Sequence, residues 1–165
     1  MKKKDEKVKK IIIFVLLGLC TANILTAQRM SKNDLQKMYI DYLRSEGISP
    51  NIASDFNGNI FFDVEDWRYW IIIDEATPNM FRLWLYYPYL GETWSYDKLE
   101  KAKSIFENAV KIVRVEFNGG GDAGGWYMAE IPLNKPEDFK HIFRIYLTSL
   151  SAANRTFYDI LKSIK

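Results

Sequence analysis

Three consecutive segments of the sequence decide the fold: Asn59–Glu65 (NIFFDVE), Arg68–Asp74 (RYWIIID) and Met80–Tyr89 (MFRLWLYYPY). Each segment is rich in β-branched and aromatic residues, and short polar or Pro- and Asn-containing links separate them. Runs of this composition between such links are typical of strands that pair with their sequence neighbours. The sequence therefore predicts an antiparallel meander in the middle of the chain.

Alternation along these segments predicts which side chains face the core, because successive residues of a strand point to opposite faces. The last segment separates into two sets, which are Phe81, Leu83, Leu85 and Tyr87 on one face and Arg82, Trp84 and Tyr86 on the other. The middle segment has little polar surface on either face, since Trp70 and Ile72 lie opposite Tyr69 and Ile71. This pattern predicts a central strand, or one whose second face is also covered.

Apolar residues at three- and four-residue spacing predict three helices around these strands. The first begins after Ser31 and stops at Gly47, the second begins after Ser95, and the third extends from Pro136 to Ile164. The length of the third makes Ser151 a candidate break. Further strands are predicted at 51–56, 113–117 and 126–133, and a glycine-rich loop (NGGGDAGG, 118–125) joins the last two. We expect an α+β fold: a mostly antiparallel sheet, made of a meander of three or four strands plus a two-stranded hairpin, flanked by three helices.

Residues 1–27 are typical of a secretory signal peptide, with a Lys-rich start, the apolar run IIIFVLLGLC and small residues before Gln28. An uncleaved anchor is a second hypothesis, but the 17 residues between Lys10 and Gln28 are short for a membrane span. Lipidation at Cys20 is a third, and Leu19 is an unfavourable neighbour for it. We predict a bacterial protein exported to the periplasm or beyond, in which 28–165 form one domain. Membrane contact is expected only through an uncleaved N-terminal segment.

Charge and residue counts argue against several classes of protein. The first ten residues hold six of the 23 basic side chains and two of the 21 acidic ones, so the remainder carries 17 and 19, a net charge of −2. A mildly acidic body does not favour nucleic-acid binding, which needs a clustered basic surface. After Cys20 no cysteine remains, and His141 is the single histidine. This composition argues against disulfides, thiolate nucleophiles and multi-His metal sites, and we expect no cofactor.

Two further patterns in the sequence could be sites of chemistry: a pair of carboxylates and the glycine-rich loop. Asp63 and Glu65 are predicted to share one strand face, where they could bind a divalent cation or act as an acid and a base. The alternative is that this face of the strand is simply exposed to solvent, because alternation of polar and apolar residues along a strand explains the two carboxylates without any function. The glycine-rich loop lacks the Lys-Ser/Thr of phosphate-binding loops and joins two strands, so a hairpin connection is the favoured interpretation. The sequence thus predicts no catalytic or metal-binding residue.

Aromatic content is the strongest functional signal in the chain. Ten Tyr, ten Phe and five Trp exceed what a core of this size needs. Trp70, Trp84 and Tyr86 fall on the less buried faces of their strands, and exposed Trp and Tyr are typical anchors of protein interfaces. We predict that these three residues bind a partner; the competing hypothesis is that helices cover both faces of the sheet and that the rings belong to the core.

Element order and sequence together resemble a known family. The helix ending in SEGI, the hairpin with FNGNIFFDVE, the strands RYWIIID and MFRLWLYYPY, the helix KLEKAKSIFENAVKIV and the closing pair VRVEF and GWYMAEIPL are similar to YbjN-like proteins. That family is similar in fold to type III secretion chaperones. The resemblance covers 31–165, and the related chaperones imply a frequent homodimer and the capture of an extended partner segment. No catalytic residues can be carried over from the family. The function expected is an exported, non-enzymatic binding module; a carboxylate-dependent hydrolase and a structural envelope protein are the alternatives.

Overall fold

The computed structural model describes residues 30–54, 57–87, 94–117 and 124–164, and its compact unit is Ser31–Lys165. The predicted signal peptide, the lipidation hypothesis at Cys20 and most of the glycine-rich loop lie outside the described residues. They stay predictions.

Three helices and six strands form the described fold. The helices are α1 (Lys32–Ser45), α2 (Tyr96–Ala109) and α3 (Phe139–Ser163), with a 3₁₀ turn at Pro136–Asp138 before α3. The strands are β1 (Asn51–Ala53), β2 (Asn59–Val64), β3 (Trp67–Ile71), β4 (Met80–Tyr87), β5 (Arg114–Phe117) and β6 (Gly125–Pro132). They form one antiparallel sheet in the order β1-β2-β3-β4-β6-β5. The predicted α+β fold with an antiparallel sheet and three helices is confirmed.

Local chemistry explains where the helices begin and end. Ser31 Oγ accepts a hydrogen bond from the backbone N–H of Asp34 at 3.2 Å, and the Asp34 carboxylate accepts one from the Ser31 N–H at 3.3 Å. This reciprocal capping satisfies two N–H groups that the first helical turn leaves unpaired. Beyond the other end of α1, Gly47 adopts φ 77°, a conformation that glycine reaches without a steric penalty. Ser95 caps α2 as predicted, accepting from the Lys98 N–H at 3.3 Å.

Helix α3 is continuous over its 25 residues, so the candidate break at Ser151 does not occur. Its buried stripe persists through that point, with Leu147 and Leu150 before it and Phe157 and Leu161 after it. An amphipathic stripe that stays on one face keeps a long helix packed against the sheet without a kink.

The helices pack on one face of the sheet. That face carries the residues predicted to point inward, and all of the following are fully buried: Ile60, Phe62, Ile71, Phe81, Leu83 and Leu85. Phe62 contacts Phe143 of α3, with ring centroids 5.9 Å apart, and Tyr127 of β6 contacts Phe106 and Phe157. The core of the protein therefore lies between this inner face and the three helices.

Candidate functional site

The opposite face of the sheet carries six apolar side chains that we name the outer patch: Phe61, Trp70, Trp84, Tyr86, Trp126 and Met128. The five aromatic rings are half-buried, whereas Met128 is buried, with only 8% of its surface exposed. They come from four adjacent strands, β2, β3, β4 and β6. The patch is therefore a product of strand pairing.

Strand register places four of these side chains in one row across the sheet. Phe61 is paired with Trp70, Trp70 with Trp84, and Trp84 with Met128. In the adjacent row on the same face, Tyr86 of β4 is paired with Trp126 of β6. Directly paired residues lie close enough for their side chains to touch, so each row forms a continuous apolar ridge.

Ring geometry connects the two rows. Trp126 lies 5.9 Å from Trp84, 4.9 Å from Tyr86 and 6.1 Å from Trp70, centroid to centroid. The ring planes of Trp126 and Trp70 are inclined at 75°, an edge-to-face arrangement. Tilted and edge-to-face ring pairs at these distances are favourable and hold the rings in position. Trp126 is therefore the centre of the cluster.

Ion pairs border the outer patch on both sides. On one side, Glu130 forms an ion pair with Arg82 at 3.3 Å and accepts a hydrogen bond from Arg114 at 3.0 Å. On the other side, Asp63 is bound to Arg68 at 2.9 Å, and the Arg68 guanidinium also lies 4.9 Å from the centre of the Phe61 ring. Apolar side chains at the centre and charged side chains around them are the usual arrangement of a protein interface.

Trp70, Trp84 and Tyr86, which alternation assigned to the less buried faces of their strands, lie together on the outer patch, and their role in binding a partner stays a prediction. The sequence analysis did not identify the other three members of the patch, Phe61, Trp126 and Met128. Alternation along β6 already separates Trp126 and Met128 from Tyr127 and Ala129, but only the pairing of β6 with β4 brings Trp126 next to Trp84.

The two carboxylates of the hydrolase hypothesis are not arranged as expected. Both oxygens of Asp63 accept hydrogen bonds from Arg68, which holds the pKa of Asp63 below its usual value. Glu65 is not in the strand; it occupies the turn after β2 with φ 54° and lines a cleft against α3, on the helix side of the sheet. The expectation of a shared strand face was wrong because the strand ends at Val64.

His141 is exposed in the first turns of α3. Within the described ranges, no three His, Cys, Asp or Glu side chains are grouped so that they could hold a metal ion. None of the helices in the described part of the chain has the length and apolar character to span a membrane.

Comparisons with known proteins give one distant structural likeness. No family model matches the chain, and no curated protein does. Among solved structures, a crystal structure of an uncharacterised protein from Methanothermobacter thermautotrophicus is similar, with a TM-score of 0.49 and 12% sequence identity. The match covers 78% of this chain and 96% of the archaeal one.

Proposed function

We propose that this protein is an exported, non-enzymatic binding module that captures a protein segment, or a second copy of itself, on the outer patch. The observation that carries the proposal is the convergence of four Trp and Tyr rings on the face of the sheet opposite the three described helices. These are Trp70, Trp84, Tyr86 and Trp126.

Desolvation of these rings would supply the binding energy. Trp and Tyr bury large areas at a low cost in conformational entropy, and they dominate the binding energy of many interfaces. In this patch the rings support one another, so a partner would meet a surface that is already ordered. A preorganised surface loses little side-chain entropy on binding, and more of the contact energy therefore appears as affinity.

The charged rim supports the same proposal. Surface ion pairs such as Asp63–Arg68 contribute little to stability, typically about 0–1 kcal/mol, so their position around the patch fits a role in orienting a partner. The resemblance to YbjN-like proteins, which implies capture of an extended segment or dimer formation, is consistent with this surface. Export is proposed from the N-terminal sequence alone.

Single tryptophan substitutions test the proposal. The protein, expressed with a C-terminal tag from its full gene, is used to capture partners from envelope extract, and its own mass in solution is measured by light scattering. We expect Trp84→Ala and Trp126→Ala to weaken capture or self-association at least about tenfold, the loss of about 1.4 kcal/mol, because each removes a central ring.

Trp67→Ala is the matched control. Trp67 is a half-buried tryptophan of the same strand as Trp70, but it lies on the inner face and contacts Tyr87 at 5.5 Å. Folding of each variant is verified by circular dichroism. Folded Trp84 and Trp126 variants that bind and associate like the wild type would refute a role for the outer patch.

A further inference from the structure

A cleft separate from the outer patch opens between the β2–β3 turn and the second half of α3. Its volume is about 440 Å³, within the range of about 300–1,000 Å³ that small-molecule sites occupy. Val64 and Leu147 supply apolar lining, and Ser151 and Thr156 supply hydroxyl groups. This combination suits a small molecule with one apolar part and a few polar groups.

Two opposite charges lie in this cleft without forming a pair. Glu65 and Arg155 both line it, both are exposed, and neither has an ion-pair partner within the described ranges. Arg68, Arg82, Arg114 and Arg144, by contrast, are each bound to a carboxylate. A guanidinium that leaves its charge unpaired beside an apolar wall is available to a carboxylate from outside the protein.

The hydroxyl of Tyr69 lies within electrostatic reach of both charges. Tyr69 is 2% exposed and lines the cleft together with Ser151. Burial is the main cause that raises the pKa of Tyr69, and the neighbouring Ser151 side chain opposes that effect only in part. The phenol therefore keeps its proton at neutral pH and offers its O–H as a donor in the cleft.

The backbone of Glu65 is held in an unfavourable conformation at this position. Its φ of 54° lies in the left-handed region, which costs a non-glycine residue roughly 1–2 kcal/mol. Glycine would relieve this strain in the two-residue turn, yet the chain carries a carboxylate there, at the edge of the cleft. Backbone strain of this kind is frequent at ligand sites.

We propose that the cleft binds a small zwitterion, an α-amino acid with an apolar side chain. Arg155 and the Tyr69 hydroxyl receive its carboxylate, Glu65 receives its ammonium group, and the apolar side chain packs against Val64 and Leu147. This site is independent of the proposed function, because it lies on the helix side of the sheet and shares no residue with the outer patch.

Leucine and two derivatives test both charge contacts. The purified protein is titrated with L-leucine, N-acetyl-leucine, which lacks the ammonium group, and leucine amide, which lacks the carboxylate, and methyl NMR signals of Val64 and Leu147 are followed. We expect leucine to shift these signals and to bind at least about tenfold more tightly than either derivative, since each derivative leaves one charge of the cleft without its partner.

Charge-removing variants assign each contact to its residue. Glu65→Gln should weaken leucine binding at least about tenfold and leave N-acetyl-leucine unaffected, whereas Arg155→Gln should weaken leucine and leave leucine amide unaffected. Arg144→Gln is the control on the same helix, outside the cleft, and should change neither. Absence of any shift with leucine up to about 10 mM overturns the proposal, as does leucine binding that survives both variants or is matched by N-acetyl-leucine.

Discussion

Asp63 illustrates how a single residue at the rim of the outer patch responds to pH. Its hydrogen bonds to Arg68 favour the ionised carboxylate, so the pKa in the folded protein is lowered. A lowered folded-state pKa contributes stability that is fully present above the unfolded-state pKa, about 3.9, and is lost as the pH falls through the folded-state value. The pair should therefore stabilise the protein at neutral pH and not in strong acid.

The variant Asp63→Asn measures this contribution. Since the Asp63 side chain is 54% exposed, we expect a loss of at most about 1 kcal/mol in the free energy of unfolding at neutral pH. The difference from the wild type should vanish at about pH 2. Urea denaturation at both pH values tests this, with Asp66→Asn in the same hairpin as the control. A difference that stays constant down to pH 2 would show that the ion pair is not its source.

At the scale of elements, two glycines with positive φ lie next to a helix or a strand. Their surroundings differ. Gly47 follows α1 at φ 77° and a Cβ there would meet nothing within 4 Å. Gly58 precedes β2 at φ 68°, where a Cβ would lie 2.6 Å from Nε2 of Gln36. The same Gln36 amide donates a hydrogen bond to the Gly58 carbonyl, which ties α1 to the start of β2.

Alanine at the two positions separates backbone strain from the lost contact. Gly47→Ala should destabilise the protein by about 1 kcal/mol through its backbone alone. Gly58→Ala should cost roughly 0.5–1.5 kcal/mol more, because Gln36 must move and its hydrogen bond is lost. In a Gln36→Ala background this extra cost should disappear. Equal costs for the two glycines in the wild-type background would contradict the role of Gln36. Thermal unfolding of Gly47→Ala, Gly58→Ala, Gln36→Ala and the double variant of Gln36 and Gly58 measures these costs.

At the scale of the whole molecule, the sheet has two apolar faces in unequal surroundings. On the inner face, fully buried Phe157 of α3 contacts Phe106 and Tyr127, with centroid distances of 5.8 Å. On the outer face, Trp126 is equally rich in ring contacts but only half-buried. If the inner face supplies the core and the outer face binds a partner, substitutions on the two faces should have different costs.

The pair Phe157→Ala and Trp126→Ala tests this asymmetry. We expect Phe157→Ala to lower the free energy of unfolding by about 3–5 kcal/mol, because it leaves a cavity in the core. Trp126→Ala should cost no more than about 2 kcal/mol despite removing a larger ring, since part of that ring is already in water. Ile145→Ala, at a position 61% exposed on α3, is the control and should be nearly neutral. Equal losses at the two aromatic positions would identify the outer patch as a second core.

Local signals in the sequence were enough to predict most elements and the face that each strand buries. Alternation separated Phe81, Leu83 and Leu85 from Trp84 and Tyr86, and capping residues marked Ser31 and Ser95 as helix starts. These features depend on neighbours within a few residues, whose geometry the chain itself determines. The fold class, and the assignment of Trp70, Trp84 and Tyr86 to the less buried faces of their strands, follow from such signals.

The tertiary structure alone decided what depends on residues far apart in the chain. Pairing of β6 with β4 made Trp126 the centre of the outer patch, and docking of α3 beside the β2–β3 turn brought Arg155 to the same cleft as Glu65. Strand order and helix docking are selected by the burial of the whole core, and no local pattern encodes them. The sequence by itself therefore determined which side chains each element presents, whereas only the assembled sheet and helices decided which of them meet.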